Sequence, residues 1–334
     1  MKICLLDIDG HNFPNLALMK LSAHYKARGH DVELITLTHR RGHALEQELA
    51  ALPARLNDYD FGFAGKVFSF TPMPELPPHF EIGGTGAVGA AKLKTLPDDI
   101  EHICPDYELY GAKRASNGRL NGLTGYIPTA ALNYSLGFLT RGCIRNCPWC
   151  VVPAKEGYIQ AHADIAEFTR HRDVILLDNN VLACEHGLRQ IKKIAETGLR
   201  VDFNQGLDAR LIDGATAKLL ARVKWLKPIR LACDSPAMMK SLENAVKLLR
   251  THGATPKEYS VYALVNDVDE AYERVMFLKS LGVSPFAQPY RALSGDALSE
   301  PSLLQKDFAR WVNHKAIFNS VPWADYDGRI KGKV

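Results

Sequence analysis

The chain opens with alternating apolar and mixed segments. The almost continuous apolar run Lys2–Asp9 predicts a strand that is covered on both faces. Pro14–Arg28 follows with helical spacing and its proline in the first turn. Asp31–Leu37 and Phe61–Phe68 predict two more strands. This order of strand, helix and strand predicts an α/β domain with a doubly wound, Rossmann-like parallel sheet.

A second pattern begins near residue 137, where short apolar runs alternate with amphipathic stretches. Their starts lie 26 to 37 residues apart. The six predicted strands are Gly137–Gly142, Val174–Asp178, Val201–Asn204, Ile229–Cys233, Tyr259–Val265 and Pro285–Pro289. The helices predicted between them are Leu188–Glu196, Ala215–Trp225, Ala237–Thr251 and Asp269–Leu281. Since a closed eight-unit barrel needs roughly 250 residues, six units predict a partial (β/α)6 TIM-type barrel.

These patterns predict three parts of the chain. Residues 1–128 form the Rossmann-like domain, residues 129–291 form the partial barrel, and residues 292–334 form a helical C-terminal extension. The helix Ser302–Phe318 is predicted within the extension. Its large aromatic residues are expected to pack against the barrel, namely Trp311, Phe318 and Trp323.

Composition adds limits to this picture. The 334 residues include 41 Lys and Arg against 37 Asp and Glu, which gives a formal net charge of +4. Collagen-like, disulfide-dense and disordered chains are excluded by such values. No apolar run approaches the ~18 residues that span a bilayer, and Asp7 and Asp9 interrupt any signal-peptide core. We therefore expect a cytoplasmic protein with no membrane partner and with reduced thiols.

Three of the seven cysteines lie together, in the pattern C-x3-C-x2-C at Cys143, Cys147 and Cys150. Three thiolates in one short loop can hold three irons of a cubane cluster and leave the fourth iron open. A structural zinc site is the alternative, with His162 or His171 as the fourth ligand. Structural zinc sites usually pair two C-x2-C knuckles, and the sequence has no second knuckle.

The segment Thr140–Cys150, with Trp149 just before the last cysteine, resembles the signature loop of the radical S-adenosylmethionine enzymes. The resemblance implies a [4Fe-4S] cluster on the three cysteines and S-adenosylmethionine on its open iron. One-electron reduction, from a donor such as a flavodoxin or ferredoxin, would then release a 5′-deoxyadenosyl radical that abstracts hydrogen from a substrate. The family places this loop after the first strand of a β/α barrel.

The resemblance also implies contacts to S-adenosylmethionine from later strand ends. The tripeptide Asp178–Asn180 stands where the family usually has a glycine-glycine-glutamate motif for the amino group. Asp208 or Asp234 could take ribose hydroxyls, and Arg210 could take the carboxylate. The expected cofactor contacts are Trp149, Asp178, Asn179, Asn180, Gln205, Asp208, Arg210 and Asp234. The alternative is that some of these residues cap the helices that follow.

The N-terminal domain resembles the cobalamin-binding domain of some superfamily members. Their motif is Asp-x-His-x-x-Gly, and this chain has Asp9 and His11 with Pro14 in place of the last glycine. His11 is the cobalamin ligand that the motif implies, supported by Asp9. Because Pro14 shortens the loop, we expect a degenerate or repurposed domain rather than a cobalamin carrier.

A glycine pattern, G-x-G-x-x-G, lies at Gly84, Gly86 and Gly89. A dinucleotide-binding fingerprint belongs in the first strand-helix-strand unit, and this pattern lies far from it. We interpret it as a tight turn that needs small residues.

The sequence leaves the substrate open: a small metabolite, a peptide or an RNA base. Short basic runs could meet phosphate, but no recognised RNA-binding module follows the barrel. The competing hypothesis is a non-enzymatic iron-sulfur or zinc module that binds a partner. Under either hypothesis, the sequence identifies no catalytic residue.

Overall fold

The computed structural model describes residues 1–10, 13–37, 43–87, 94–110, 132–254, 259–291, 293–294 and 297–328. The chain divides into two compact units. The first comprises residues 1–137, 151–157 and 163–173, and the second comprises residues 138–150, 158–162 and 174–334. The predicted boundaries after residues 128 and 291 touch residues outside the described ranges and stay predictions.

Four parallel strands form the sheet of the first unit, in the order β2-β1-β3-β4. The strands are β1 (Lys2–Asp7), β2 (Asp31–Thr36), β3 (Phe61–Gly65) and β4 (Phe80–Gly83). The helices of this unit are α1 (Leu16–Ala27), α2 (His43–Leu56), α3 (Asp98–Glu101), α4 (Val152–Lys155) and α5 (Ile165–Phe168), and a further short strand is β5 (Ser135–Gly137). The predicted α/β character with a parallel sheet is confirmed.

Side-chain caps set where the first helix begins. Asn15 Oδ1 accepts hydrogen bonds from the amides of Ala17 (3.1 Å) and Leu18 (3.3 Å). An asparagine in this position is a favoured helix cap, because it satisfies amides that have no partner within the helix. Pro14 therefore precedes the cap. The prediction that it lies in the first turn is wrong.

The turn after β4 packs closely against the end of β3. Gly84 has φ of 101°, and a Cβ there would overlap the backbone carbonyl of Lys66. The amide of Gly86 donates to the same carbonyl, at 3.0 Å. The glycines serve the tight turn that we expected, although Gly89 lies outside the described residues.

The second unit alternates strands and helices. Its strands are β6 (Thr140–Arg141), β7 (Gln160–Ala161), β8 (Asp173–Leu176, of which Asp173 belongs to the first unit), β9 (Arg200–Phe203), β10 (Lys224–Trp225), β11 (Ile229–Ala232), β12 (Tyr259–Val265), β13 (Ser284–Pro289), β14 (Leu293–Ser294) and β15 (Ala297–Leu298). Its helices are α6 (Glu185–Thr197), α7 (Gly214–Leu220), α8 (Met239–Thr251), α9 (Val268–Ser280), α10 (Leu303–Asn313) and α11 (Lys315–Ser320). Short 3-10 turns lie at 181–183, 209–211, 236–238 and 323–325.

Strands that follow one another along the chain also lie side by side. β8, β9 and β10 form one sheet, and β11, β12 and β13 form another, with parallel pairing throughout the second. A parallel bridge between Leu207 and Leu231 joins the end of the β9 region to β11. This succession is what a wound β/α sheet produces, and the closure of a six-unit barrel stays a prediction.

Two predicted elements are corrected by tertiary hydrogen bonds. The predicted strand Gly137–Gly142 is divided into β5 and β6, because the amides of Leu139 and Thr140 donate to the side chain of Asp178. The predicted helix Ala215–Trp225 ends at Leu220, and its last two residues form β10, paired with β9.

Within the second unit, the buried indole of Trp311 links the C-terminal helices to α9. Trp311 stacks on Tyr272 of α9 at 6.1 Å and contacts Phe318 at 4.9 Å, both between ring centroids. Its indole N–H donates to the carbonyl of Val321, at 2.8 Å. α10 starts with a capping box formed by Ser302 and Gln305. Within the part of the chain that is described, no helix is both long and apolar enough to cross a bilayer.

Candidate functional site

The cysteine loop leaves β6 through Gly142, whose φ of 78° lies in the region that favours glycine. The amide of Cys150 donates to the carbonyl of Cys147 (3.0 Å), which closes a turn between the last two cysteines. Cys143 and Cys147 are half-buried, Cys150 is exposed, and none forms a disulfide. Trp149 is half-buried in the same turn.

Hydrogen-bond donors surround the sulfur of Cys143. The amide nitrogen Nδ2 of Asn180, which follows β8, lies 3.4 Å from this sulfur. The backbone amide of Arg145, inside the loop, lies 3.3 Å from it. The sulfur of Cys143 therefore has two N–H donors within hydrogen-bond distance.

The carboxylate of Asp208 connects these donors. Its Oδ1 accepts from Arg210 Nε at 2.6 Å, and its Oδ2 accepts from Arg145 Nε at 3.0 Å. The same Oδ2 accepts from Asn180 Nδ2 at 3.3 Å and from Arg210 Nη2 at 3.0 Å. The Asp208 side chain is 6% exposed, against 32% for Arg145 and 29% for Arg210. One buried carboxylate thus holds two partly exposed guanidinium groups beside the thiols.

The two arginines determine the charge of the Asp208 carboxyl group. Burial alone would raise the pKa of Asp208, but hydrogen bonds and charges from Arg210 and Arg145 outweigh burial and hold the pKa below its usual range. The pKa of Arg210 is raised, first by its hydrogen bond to Asp208 and further by Cys147. Asp208 is therefore an anion that is already paired, and the two arginines leave an excess of positive charge.

Asp178 binds backbone and hydroxyl groups rather than arginines. Its carboxylate accepts from the amides of Leu139 (3.1 Å) and Thr140 (2.6 Å) and from the hydroxyl of Thr140 (2.7 Å). Burial raises the pKa of Asp178 to about 6, although these hydrogen bonds act in the opposite direction. The side chain fastens the backbone that leads into the cysteine loop.

The remaining predicted contacts differ in how free their polar atoms are. Asn180 is buried, and its Oδ1 has no hydrogen-bond partner in the structure. Asp234, after β11, is half-buried and accepts from the amide of Leu264 at 3.0 Å, and burial raises its pKa. Asn179 is half-buried and Gln205 is exposed. The structure brings Asn180, Asp208 and Arg210 to the cysteine loop.

A finished metal site is absent from the described residues. No three His, Cys, Asp or Glu side chains there are grouped closely enough to hold a metal ion. His171 lies 3.1 Å from the hydroxyl of Ser135, and His162 packs edge-on against Phe138. Neither histidine is assembled with the cysteines into a zinc site.

The first unit uses its strand-end carboxylates internally. Asp7 Oδ2 accepts from the hydroxyl of Tyr110 at 2.8 Å, and Tyr110 in turn accepts from the amide of Asn15. Asp9 accepts from the amides of Val67 and Phe68 and, at 2.6 Å, from the hydroxyl of Thr71. His11 lies outside the described residues.

Comparison with known proteins gives matches of fold only. No family model and no curated protein sequence matches this chain. Solved structures do match, and two of them are structures of TsrM. This radical S-adenosylmethionine methyltransferase comes from Kitasatospora setae, and one structure contains cobalamin and a [4Fe-4S] cluster, the other its tryptophan substrate and the analogue aza-SAM.

The likeness to TsrM extends over most of both chains. The first structure has a TM-score of 0.54 at 15% identity and covers 87% of this chain and 75% of TsrM. The second has a TM-score of 0.56 at 14% identity and covers 86% and 72%. At such identities the match establishes a shared fold.

Sequence reasoning missed one residue of the site, Arg145. It lies inside the cysteine loop, in Cys143-Ile-Arg-Asn-Cys147, and its charge next to two thiols was a signal. Its pairing with Asp208, 63 positions later, was not readable from the loop.

Proposed function

We propose that the chain is a radical S-adenosylmethionine enzyme whose [4Fe-4S] cluster is held by Cys143, Cys147 and Cys150. The observation that carries the proposal is the donor-lined cysteine loop next to the strand-end residues Asn180 and Arg210. The shared fold with TsrM supports it. β/α folds build their active sites at the carboxyl ends of strands, which is where these residues lie.

The donor set fits such a cluster. Three thiols within eight residues supply three iron ligands, and the fourth iron stays open for a substrate group. N–H donors already lie against one of the sulfurs, that of Cys143. When bound, the cluster supplies the electron that cleaves the carbon–sulfur bond of S-adenosylmethionine.

The chain's own residues are suited to the amino-acid part of S-adenosylmethionine. Asn180 Oδ1 is a buried acceptor without a donor, and an ammonium group would satisfy it. Arg145 and Arg210 keep N–H groups beyond those that Asp208 accepts, and a carboxylate would pair with them. Asp208 is committed to the arginines, so of the two predicted ribose contacts we propose Asp234.

We propose no reaction step for cobalamin. TsrM contains it, and the first unit has the parallel sheet that the resemblance implied. However, Asp9 already accepts hydrogen bonds from Val67, Phe68 and Thr71, which favours a structural role for this carboxylate over support of a cobalamin ligand. If cobalamin binds, we expect His11→Ala to leave its affinity unchanged. Titration of hydroxocobalamin by absorption spectroscopy tests this, and loss of binding in the variant would restore His11 as the ligand.

The substrate remains one of three classes: small metabolite, peptide or RNA base. The alternative function is a non-enzymatic module that binds iron-sulfur or zinc. Anaerobic reconstitution with iron and sulfide, followed by reduction in the presence of S-adenosylmethionine, separates the two. Release of 5′-deoxyadenosine supports the enzyme. Tight zinc binding without iron uptake or cleavage would support the module and refute the enzyme.

A further inference from the structure

We propose that Asp208 is a positioning residue that holds the side-chain amide of Asn180 on the sulfur of Cys143, and that this donor sets the reduction potential of the cluster. The inference rests on the proposed function, since it requires a cluster on the cysteines. It reassigns Asp208 from a predicted ribose contact to a role exerted through Asn180.

The donor is the side-chain amide of Asn180. Its Nδ2 carries two hydrogens, and two acceptors lie around it: Cys143 Sγ at 3.4 Å and Asp208 Oδ2 at 3.3 Å. Asn180 and Asp208 are both buried, so water does not compete for this amide. Asp208 therefore fixes the direction of the amide and leaves one N–H for the sulfur.

The carboxylate of Asp208 is itself fixed by the guanidinium of Arg210. Asp208 accepts from Nε at 2.6 Å through one oxygen and from Nη2 at 3.0 Å through the other. This fork fixes the plane of the carboxylate, so Asp208 keeps its place beside the amide of Asn180.

The physical consequence is electrostatic. Reduction adds negative charge to a cluster and its sulfurs, so N–H donors at the sulfurs stabilise the reduced state more than the oxidised state. Residues that orient such contacts tune a metal centre without touching it. Removing a donor should make the midpoint potential more negative, at an unchanged count of iron.

Asn180→Leu is the cleanest test, because it removes the donor while keeping the shape and the charge. The reconstituted variant is expected to have wild-type iron content and a more negative midpoint potential, measured by redox titration followed by electron paramagnetic resonance. Asn180→Gln keeps an amide and should restore part of the shift. Asp213→Asn is the control, since Asp213 lies with Asp208 between β9 and α7 but only caps α7. The midpoint potential of this variant should equal the wild-type value.

The role of Asp208 is tested by a double-mutant cycle. If Asp208 aims the amide, Asn180→Leu should shift the potential less in an Asp208→Asn background than in the wild type. An equal shift in both backgrounds would overturn the role of Asp208. An unchanged potential in Asn180→Leu would overturn the whole inference, as would loss of the cluster from Asn180→Leu and Asn180→Gln alike, because a donor that only tunes the potential is not needed for iron to bind.

Failure of the proposed function has a different signature. A wild-type chain that takes up no iron refutes the proposed function and the inference together. A wild-type chain that holds a cluster and cleaves S-adenosylmethionine, with a potential indifferent to Asn180, refutes the inference alone.

Discussion

The carboxyl edges of the two parallel sheets both carry buried aspartates but use them differently. In the first unit, the oxygens of Asp7 and Asp9 accept from backbone amides and from the hydroxyls of Tyr110 and Thr71. In the second unit, Asp178 does the same, but Asp208 accepts from two guanidinium groups and from the side-chain amide of Asn180, which also contacts the thiol of Cys143.

The difference shows what separates a structural edge from a reactive edge. A carboxylate that is satisfied by backbone and hydroxyl groups closes its loops and leaves nothing for a ligand. A carboxylate that holds arginines leaves N–H groups pointing elsewhere, because a guanidinium has five and the carboxylate takes only two or three. In this chain the second arrangement coincides with the cysteine loop.

The largest effect is expected at the loop itself. Cys147→Ala removes one of three iron ligands, so reconstituted protein should lose its [4Fe-4S] absorption and its cleavage of S-adenosylmethionine together. Cys184→Ala is the matched control, because Cys184 is half-buried in the same unit but precedes α6. Wild-type iron content in Cys147→Ala would remove the cysteine loop from the proposal.

The next effect separates the two edges by what they support. Asp178→Ala leaves two buried backbone amides and the Thr140 hydroxyl without their acceptor, which should cost roughly 3 to 5 kcal/mol of stability. Because the freed backbone leads into the cysteine loop, iron content should fall as well.

Asp7→Ala is the counterpart in the first unit. It removes the acceptor of Tyr110 and Gly10, so stability should fall by roughly 1 to 3 kcal/mol while iron content stays at the wild-type value. Denaturant unfolding and iron analysis measure both variants. Equal iron loss in the two would contradict the distinction between the edges.

The longer strands were predictable because the hydrophobic pattern that marks each one lies within its own residues. Tyr259–Val265 has the same bounds in prediction and structure, since its residues alternate between buried and half-buried positions. Helix α2 was missed, as its sequence contains Pro53 near its end, and β10 was missed because only its pairing with β9 makes it a strand. Local pattern does not contain such pairings.

The candidate site was likewise predictable where its residues are local in sequence, and not where they pair over a long range. The cysteine spacing is local, so the loop could be read from eight residues, and its neighbours at strand ends followed from the β/α repeat. The partners of Asp208 could not be read, because Arg145 and Asn180 come from other strand ends, 63 and 28 positions away. A carboxylate at a strand end looks the same in sequence whether it binds ribose or holds arginine.

A third prediction concerns the pH dependence of stability, which should be similar for Asp7 in the first unit and Asp178 in the second. Burial raises the pKa of both Asp7 and Asp178 to about 6, from an ordinary 3.8. Between these values the folded chain binds more protons than the unfolded chain, so each group lowers stability by about 2 kcal/mol as pH rises from 4 to 6.

Asparagine at either position removes this dependence. The unfolding free energy of Asp7→Asn or Asp178→Asn, taken relative to the wild type, should therefore rise between pH 4 and pH 6 and stay level above pH 7. Denaturant titrations at several pH values measure the difference. A relative stability that is flat across this window would show that the pKa values are not raised.

The smallest effect concerns the glycine turn at the first edge, where neighbouring glycines provide their own control. Gly84 has φ of 101° and no room for a Cβ beside the carbonyl of Lys66, whereas a Cβ on Gly83 meets nothing within 4 Å. Gly84→Ala should lower stability by roughly 1 to 3 kcal/mol. Gly83→Ala should leave stability unchanged or slightly increased, because alanine restricts the unfolded chain. Thermal unfolding compares the pair, and similar losses in both would contradict the close approach of the Gly84 backbone to the end of β3.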